Sequence, residues 1–346
     1  MRSTNRPFVV LQSFPRPRPT TNPYVVMLGR SLASIPDVEL LTFSWRRAFT
    51  HRVDVFHAHW PEILVDGRNR PRRAVRQLLF LLLLARLAVT RTPLVRTLHN
   101  PELPRGLSRT QVALLRLAER RTALWIRLNS ATLLPEGAPE ETIPHGHYRD
   151  WFAAHPRKEV VAGRLAFVGQ IRGYKGVEQL LASFRATSGS APDASLHVGG
   201  RPTSEELAAR VRGAATGDDR ITLDLRFLPD DDLVREVTSA ELVVLPYPEM
   251  HNSGGVLAAL SLDRPVLVPD NDVNRALAEE VGADWVLTYR GDLSPEDLVD
   301  GLRRARSVGG PGRPDLDRRD WETSGLAHLA AYRRAVTTMR ARRRGR

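Results

Sequence analysis

Gly169-Gln170-Ile171-Arg172-Gly173-Tyr174-Lys175-Gly176 is the stretch from which the fold of this 346-residue chain is read. The run Leu165-Ala166-Phe167-Val168 before it is short and apolar, as a buried strand is, and Val177 to Arg185 after it carries a helical period. The glycines of the loop let backbone amides approach a ligand closely. Only Lys158 and Lys175 are lysine in a chain that otherwise writes its positive charge as arginine. The two cations differ in geometry, so a lysine here marks a place for a compact ammonium beside the fork of Arg172. Strand, cationic glycine loop and helix start together describe a phosphate or diphosphate site. A tight strand-to-helix turn that carries two surface cations is the competing reading.

Outward from this loop, short β-rich runs alternate with helical patterns. They fall at 8–11, 38–43, 53–57, 94–98 and 124–128 in the first half, and at 165–168, 195–198, 221–225, 242–245, 266–268 and 285–287 in the second. Such alternation, with spacers long enough for crossover helices, predicts an α/β protein of two Rossmann-like parallel-sheet domains facing across a cleft. The expected division is a first domain over 1–145, a linker over 146–163, a second domain over 164–316, and a helix over 317–339. A disordered basic tail over 340–346 completes it. The run Gln77 to Val89 is apolar almost all round, yet too short to cross a bilayer. It reads as a core helix or as one that dips into a membrane interface, with arginines at 68, 70, 72, 73 and 76 ahead of it.

The absence of cysteine excludes disulfides, zinc-thiolate sites and a thiol nucleophile, and suits a reducing compartment. The apolar run Phe8 to Leu11 is too short for a signal peptide, so a cytoplasmic protein is expected, peripheral on the inner face of the cell membrane if the apolar helix docks there. A net charge of +12 points to an anionic partner: a nucleotide, a membrane surface or a nucleic acid. Few aromatics interleave the basic clusters, which argues against nucleic acid.

A second candidate loop is Tyr247-Pro248-Glu249-Met250-His251-Asn252-Ser253-Gly254-Gly255, placed between a strand and a helix. Bare amides at such a helix start complement a phosphate or sugar hydroxyl, although an ordinary N-cap at Asn252 or Ser253 explains the same residues. In the first half, His57-Ala58-His59-Trp60-Pro61-Glu62 ends a strand, and alternation sets His57 and His59 on one face. A third metal ligand at recognisable spacing is missing, so sugar stacking on Trp60 is the better reading. If the chemistry inverts an anomeric carbon, His59 or Glu62 is the candidate general base; a retaining reaction needs none. The runs Asp230-Asp231-Asp232 and Asp270-Asn271-Asp272 precede helical patterns and read as caps, which leaves a metal-independent, cofactor-free site in which Arg172 and Lys175 neutralise the diphosphate.

The order of these motifs resembles the GT-B glycosyltransferases of the group 1, family 4-like type, over most of the chain. Val168 to Gly176 is similar to that family's glycine, arginine and lysine loop, and Phe227-Leu228-Pro229-Asp230-Asp231-Asp232-Leu233 and Ala240 to Pro246 to the elements after it. Ile143-Pro144-His145-Gly146 resembles the family's hinge, and Thr97-Leu98-His99-Asn100 its amino-terminal histidine segment. The resemblance implies that the 1–145 domain binds the acceptor and the 164–316 domain the nucleotide sugar, that the 317–339 helix crosses back to the first domain, that Arg172 and Lys175 grip the donor diphosphate, that His99 faces the donor sugar, and that Glu249 serves as the first of two donor-site glutamates. The second falls near Leu257 or Ala258, so ribose contact has another source. Ser253 to Leu267 is similar to bacterial mannosyltransferases that build exopolysaccharide on a lipid carrier.

The sequence reading is thus a hexosyltransferase that takes a nucleotide diphosphate sugar, GDP-mannose before a UDP-sugar, to a glycan or polyprenyl-linked acceptor. Its catalytic set is Arg172, Lys175, His99, His59 and Glu62. Its donor set is Gly169, Gly173, Glu249, Asn252, Ser253, Gly254 and Gly255, and its acceptor set is His57 and Trp60. The rivals are a non-catalytic basic module for nucleic acid or membrane, and a nucleotide-sugar epimerase or hydrolase on the same fold.

Overall fold

A computed structural model describes residues 6–18, 20–100, 102–104, 106–308 and 312–344, without the side chains of 342–344. The amino-terminal residues 1–5, Pro19 and the tail residues Gly345 and Arg346 lie outside the described residues. The chain folds as two compact units, 1–146 with 318–346, and 147–317.

The first unit contains β1 (Phe8–Gln12), α1 (Pro23–Ser34), β2 (Val38–Leu41), α2 (Trp45–Thr50), β3 (Val55–Ala58), α3 (Glu62–Val65), α4 (Arg70–Thr90), β4 (Leu94–Leu98), α5 (Arg109–Arg120), β5 (Thr122–Arg127) and β6 (Glu140–Thr142). Its strands form one parallel sheet in the order β2-β1-β3-β4-β5-β6. The edge strand β6, Glu-Glu-Thr, has no apolar run to announce it; it pairs through its backbone with Trp125 to Arg127. The second unit contains α6 (Arg149–Phe152), β7 (Arg164–Val168), α7 (Val177–Ala186), β8 (Ser195–Gly199), α8 (Glu205–Ala215), β9 (Ile221–Asp224), α9 (Asp230–Ser239), β10 (Leu242–Val244), α10 (Gly254–Ser261), β11 (Val266–Pro269), α11 (Asp272–Val281), β12 (Val286–Tyr289) and α12 (Pro295–Val308). Its parallel sheet runs β12-β11-β10-β7-β8-β9. In each sheet the first strand is internal and the chain winds away from it on both sides, which opens a crevice at the carboxyl ends of β1 and β3 and of β7 and β10.

Residues 146–163 are not a free spacer. The Tyr148 amide donates to Ser261 Oγ at 2.8 Å, the Lys158 amide to Thr238 Oγ1 at 2.9 Å and the Val161 amide to the Ser239 carbonyl at 2.9 Å, so the segment lies along the second unit and belongs to it. Its backbone amides are satisfied by side-chain hydroxyls and a carbonyl of the second unit, which is what a free linker lacks.

Helix α4 is core along one face and leaves apolar side chains exposed along the other. Phe80, Leu83, Leu84 and Leu87 are buried in the core of the first unit, while Val75, Leu78, Leu81, Leu82 and Val89 are exposed. No helix of the described residues is long and apolar enough to cross a membrane. The last helix, α13 (Trp321–Arg344), packs on α1 within the first unit and runs five residues past the expected end at 339. Arginine is a good helix former, so a basic composition that reads as a tail continues the helix to Arg344. The approach of α13 to α1 depends on Gly325, where a Cβ would stand 2.0 Å from Ser31 Oγ, the atom that donates to the Trp321 carbonyl. Gly325→Ala is expected to break that bond and cost about 1–3 kcal/mol, read as a lower urea midpoint; an unchanged midpoint would show that the helix pair relaxes freely.

Candidate functional site

In the second unit, β7 ends at Val168 and Gly169 turns out of the strand at φ 136°, its amide donating to the Gly199 carbonyl at 2.9 Å. Ile171 is fully buried and fixes the middle of the loop through its amide, which donates to the Arg201 carbonyl at 3.1 Å. A single tight turn over Gly173–Lys175 follows, and Gly176, at φ 67°, opens α7. A side chain at 176 is excluded, because its Cβ would lie 2.3 Å from the Pro246 carbonyl oxygen. That close approach brings the loop after β10 against the loop after β7.

The consequence is a cation held without a counter-ion. Lys175 Nζ lies 4.6 Å from the centroid of the Tyr247 ring and 3.4 Å from its hydroxyl. Among the described residues neither Lys175 nor Arg172 forms an ion pair; Arg172 Nε donates to Gln170 Oε1 at 3.0 Å. Burial, and then the Arg172 charge, bring the Lys175 pKa down to about 8, so the ammonium is still mostly charged at neutral pH. Such a pair is complementary to a diphosphate. Along the partner loop, Ser253 caps α10 by accepting from the Val256 amide at 3.2 Å, so the N-cap explanation of Ser253 holds geometrically. Gly254 and Gly255 still leave room at the helix start for the hydroxyls of Tyr148 and Tyr247, which a Cβ would meet at 3.3 and 3.4 Å. Asn271 Nδ2 donates to the Met250 carbonyl at 3.1 Å and braces this loop, in which Glu249 is exposed and Asn252 half-buried. The Asp230–Asp232 run opens α9 and binds Trp151, His155 and Arg226, while Asp270 accepts from Arg275 and Arg290. These carboxylates are engaged in side-chain hydrogen bonds and ion pairs rather than in capping: Pro229 begins α9 without a side-chain cap, and it is Asn271 that caps α11, accepting from the Asn274 amide.

In the first unit, the residues ending β1, β3 and β4 gather into one hydrogen-bonded chain. His57 Nε2 meets Thr97 Oγ1 at 2.8 Å, and His57 Nδ1 meets the Tyr332 hydroxyl at 2.7 Å. Gln12 joins Tyr332 through Nε2 at 3.4 Å and His59 Nε2 through Oε1 at 3.0 Å; His59 Nδ1 meets His99 Nε2 at 3.2 Å. Amide geometry sets the direction. Gln12 Oε1 can only accept, so His59 carries its proton on Nε2 and accepts at Nδ1 from His99 Nε2–H. Gln12 Nε2–H donates to Tyr332, Tyr332 O–H to His57 Nδ1, and His57 Nε2–H to Thr97. Every step runs one way, and all three imidazoles are neutral. Burial before any other cause holds His57 and His99 well below the usual histidine value, with neighbouring imidazoles adding to it, and takes His59 down to about 3.

This geometry corrects two assignments. His57 and His59 are buried, and both ring nitrogens of each are engaged, so His57 does not touch an acceptor and His59 does not serve as a base. Strand alternation gives the side a residue faces but not its depth. Trp60 and His99 do reach the surface of the crevice, stacked with ring centroids 4.1 Å apart at 20°. Glu62, at the first turn of α3, is half-buried, and desolvation raises its carboxyl above the usual value against the opposing pull of its own backbone and of Arg96. Gln12, Tyr247 and Tyr332 are site residues that the sequence reading left out. The pairing of Gln12 with His57 across the β1–β3 register is the signal that would have found the first.

Two parallel α/β units, each with its candidate site at the switch point of its sheet, one of them cationic and glycine-lined, define a nucleotide-sugar transferase of GT-B type. The profile of the family described as Glycosyl transferases group 1 matches residues 162–307. A GDP-mannose:glycolipid 4-beta-D-mannosyltransferase of Xanthomonas campestris pv. campestris (strain ATCC 33913) is 43% identical over 331 residues, 94% of this chain and 92% of that protein. A second protein of that description, from the same pathovar, is 42% identical over the same shares. Among solved structures, Anabaena HepE in complex with UDP and glucose aligns at TM-score 0.57 with 15% identity, covering 97% of this chain and 98% of that one. AviGT4, a glycosyltransferase involved in avilamycin A biosynthesis, aligns at TM-score 0.57 with 16% identity, covering 95% and 98%. The chain belongs to the glycosyl transferases group 1 and is a glycosyltransferase of the GT-B fold. The non-catalytic basic module gives way to that membership.

Burial of neutral histidines ties stability to pH. His328, with Nδ1 on the Ser324 carbonyl at 2.7 Å, and His145 are each brought down to about 4, chiefly by burial. Their folded pKa values lie below the unfolded value, so the unfolded chain binds more protons and stability falls as pH drops below about 6.5, by about 1.4 kcal/mol per pH unit per histidine. Tm is expected to decline from pH 7.5 to 5, and His328→Gln to flatten that decline; equal slopes would show that His328 binds the same number of protons folded and unfolded.

Proposed function

We propose that this glycosyltransferase moves mannose from GDP-mannose to the hydroxyl of a lipid-linked glycan and inverts the anomeric carbon. The observation that carries the donor side is the pair Arg172 and Lys175, without a carboxylate, on a glycine loop braced by Tyr247. The sugar and acceptor classes rest on the two mannosyltransferase relatives, each aligned over 94% of the chain. GDP-mannose is an α-glycoside, so a β-linked product requires inversion. Inversion in turn requires a base for the incoming hydroxyl.

Glu62 is that base. Its raised pKa brings a carboxylate closer to the proton it must take, and it follows Trp60, whose indole offers a stacking face to the acceptor sugar. The acceptor O–H gives its proton to Glu62 as its oxygen bonds to C1 of mannose. The bond from C1 to the phosphate oxygen breaks, and its electron pair leaves on the diphosphate, where Arg172 and Lys175 stabilise the growing charge. These two cations supply the charge in a reaction without a metal. His99, neutral and with Nε2–H committed to His59, orients donor sugar rather than carrying charge to it. The setting is the cytoplasmic face of a membrane during synthesis of a surface polysaccharide. Arg68, Arg70 and Arg72, exposed ahead of and at the start of α4, draw anionic headgroups, and the exposed Val75, Leu78, Leu82 and Val89 enter the interface.

The test is transfer of labelled mannose from GDP-mannose to extracted lipid-linked acceptor, with the anomer read by NMR. Lys175→Ala is expected to lower kcat about 10²–10³-fold and Glu62→Gln about 10²-fold or more, both with Tm little changed. Acceptor-independent release of mannose, or a changed sugar in the nucleotide, would assign the protein to hydrolases or epimerases, and an α product would remove the role of Glu62.

The pH profile separates the two groups. The rate needs Glu62 ionised, so kcat/KM falls on the acid side through a value above the usual 4.5. It needs Lys175 protonated, so kcat/KM falls on the basic side near pH 8 in the free enzyme. Lys175→Arg is expected to lose that basic limb, because guanidinium does not deprotonate in this range. A limb that persists in the arginine variant belongs to another group.

A further inference from the structure

We propose that a concavity in the first unit, between the loop after β1 and helix α2, is an oxyanion site that holds a phosphate of the glycolipid acceptor, an inference that rests on the acceptor class proposed above. The concavity measures about 770 Å³ and is lined by Arg16, Leu41, Phe43, Arg46, Arg47 and His51, with no carboxylate on its wall. None of the three guanidiniums forms an ion pair with a described residue, in a chain where Arg164, Arg220 and Arg275 all reach carboxylates. Arg47 is already set: its Nη1 donates to the Thr42 carbonyl at 3.1 Å and to Thr42 Oγ1 at 2.7 Å. Its remaining donors are thereby presented as a fixed fork, the geometry that binds phosphate oxygens in pairs. Arg16 and Arg46 are exposed and add charge without an internal partner to satisfy.

Position supplies the second argument. The Phe43 amide donates to the Phe14 carbonyl at 2.7 Å, and the Phe14 ring lies 5.7 Å from the His59 ring, so the concavity adjoins the Trp60 and His99 site on the same edge of one sheet. Strands β2 and β3 flank β1, two strand spacings or about 10 Å apart, a span that a short glycan bridges. On its other side, α2 packs against α4, and Arg86 Nη2 donates to the His51 carbonyl at 2.7 Å. The apolar outer stripe of α4 therefore begins where the arginines end. Glycan, phosphate and lipid chain of one molecule meet aromatic, cationic and apolar surface in that order.

The test is hydrogen exchange of the full chain, read at peptide 40–51, with the donor site filled by saturating GDP so that the probe, inorganic pyrophosphate, reads only a second site. Slowed exchange in the wild type, lost in Arg16→Gln with Arg46→Gln, is the expected result. With lipid-linked acceptor, the double variant is expected to raise the acceptor KM about tenfold or more with the KM for GDP-mannose unmoved. No slowing at 40–51 by millimolar pyrophosphate, or equal slowing in the double variant, overturns the proposal. Slowing by phosphatidylglycerol vesicles without any response to pyrophosphate also overturns it, in favour of general headgroup contact. The exchange arm needs no turnover, so a failure of mannosyl transfer and a failure of the oxyanion site give different results.

Discussion

The constraint on which the rest of this protein depends is the internal position of the first strand in each sheet. With β7 between β8 and β10, the chain must leave in opposite directions from neighbouring strands, and the loops after them are the ones that can converge on a ligand. Convergence needs backbone to touch backbone. Gly176 against the Pro246 carbonyl and Gly200 against the Gly169 carbonyl, where a Cβ would stand 1.8 Å away, are the points at which it does so. The first of those contacts joins the loop that carries Lys175 to the loop that carries Tyr247 and leads into α10. The first unit repeats the arrangement with β1 between β2 and β3, and fills the crevice with imidazoles instead of glycines.

Burial acts in opposite senses on the two crevices. In the first, desolvation strips charge: the histidines are neutral and their protons are ordered along a single path of hydrogen bonds. In the second, partial desolvation leaves an ammonium charged but weakly compensated, so its free energy falls most when an anion arrives. A glycosyl transfer that develops negative charge on a diphosphate gains from the second kind of site. A hydroxyl that must be placed within reach of a base gains from the first.

The sequence revealed what depends on apolar period and lost what depends on depth or on backbone alone. Eleven of the strands announce themselves because a doubly covered parallel strand is nearly continuous in Val, Ile and Leu, as β7 and β10 are. Strand β6 has the composition of a loop and exists because the backbone of β5 needs a neighbour. The lysine loop was legible because lysine is rare here and its neighbours are glycine. Tyr247 was not, since nothing in one chain says that an aromatic three residues past a strand supports a cation. His57 and His59 were placed on the right face, but the face was the interior one, closed by Tyr332 from a helix that lies 275 residues away in the chain.

That distant helix explains why the imidazoles can be buried at all. A buried, unpartnered imidazole would cost free energy, and the sheet has too few acceptors at the ends of β3 and β4 to satisfy both rings. Tyr332 on α13 supplies an O–H to His57 and accepts from Gln12, which joins the two halves of the chain. The close approach of Gly325 to Ser31 fixes α13 against α1 at the depth where that hydroxyl reaches His57. The carboxy-terminal helix is therefore part of the first unit's site rather than an appendage to its surface. The tautomer that His99 presents at the crevice is tied, through His59 and Gln12, to Tyr332 and so to how closely two helices pack behind the sheet.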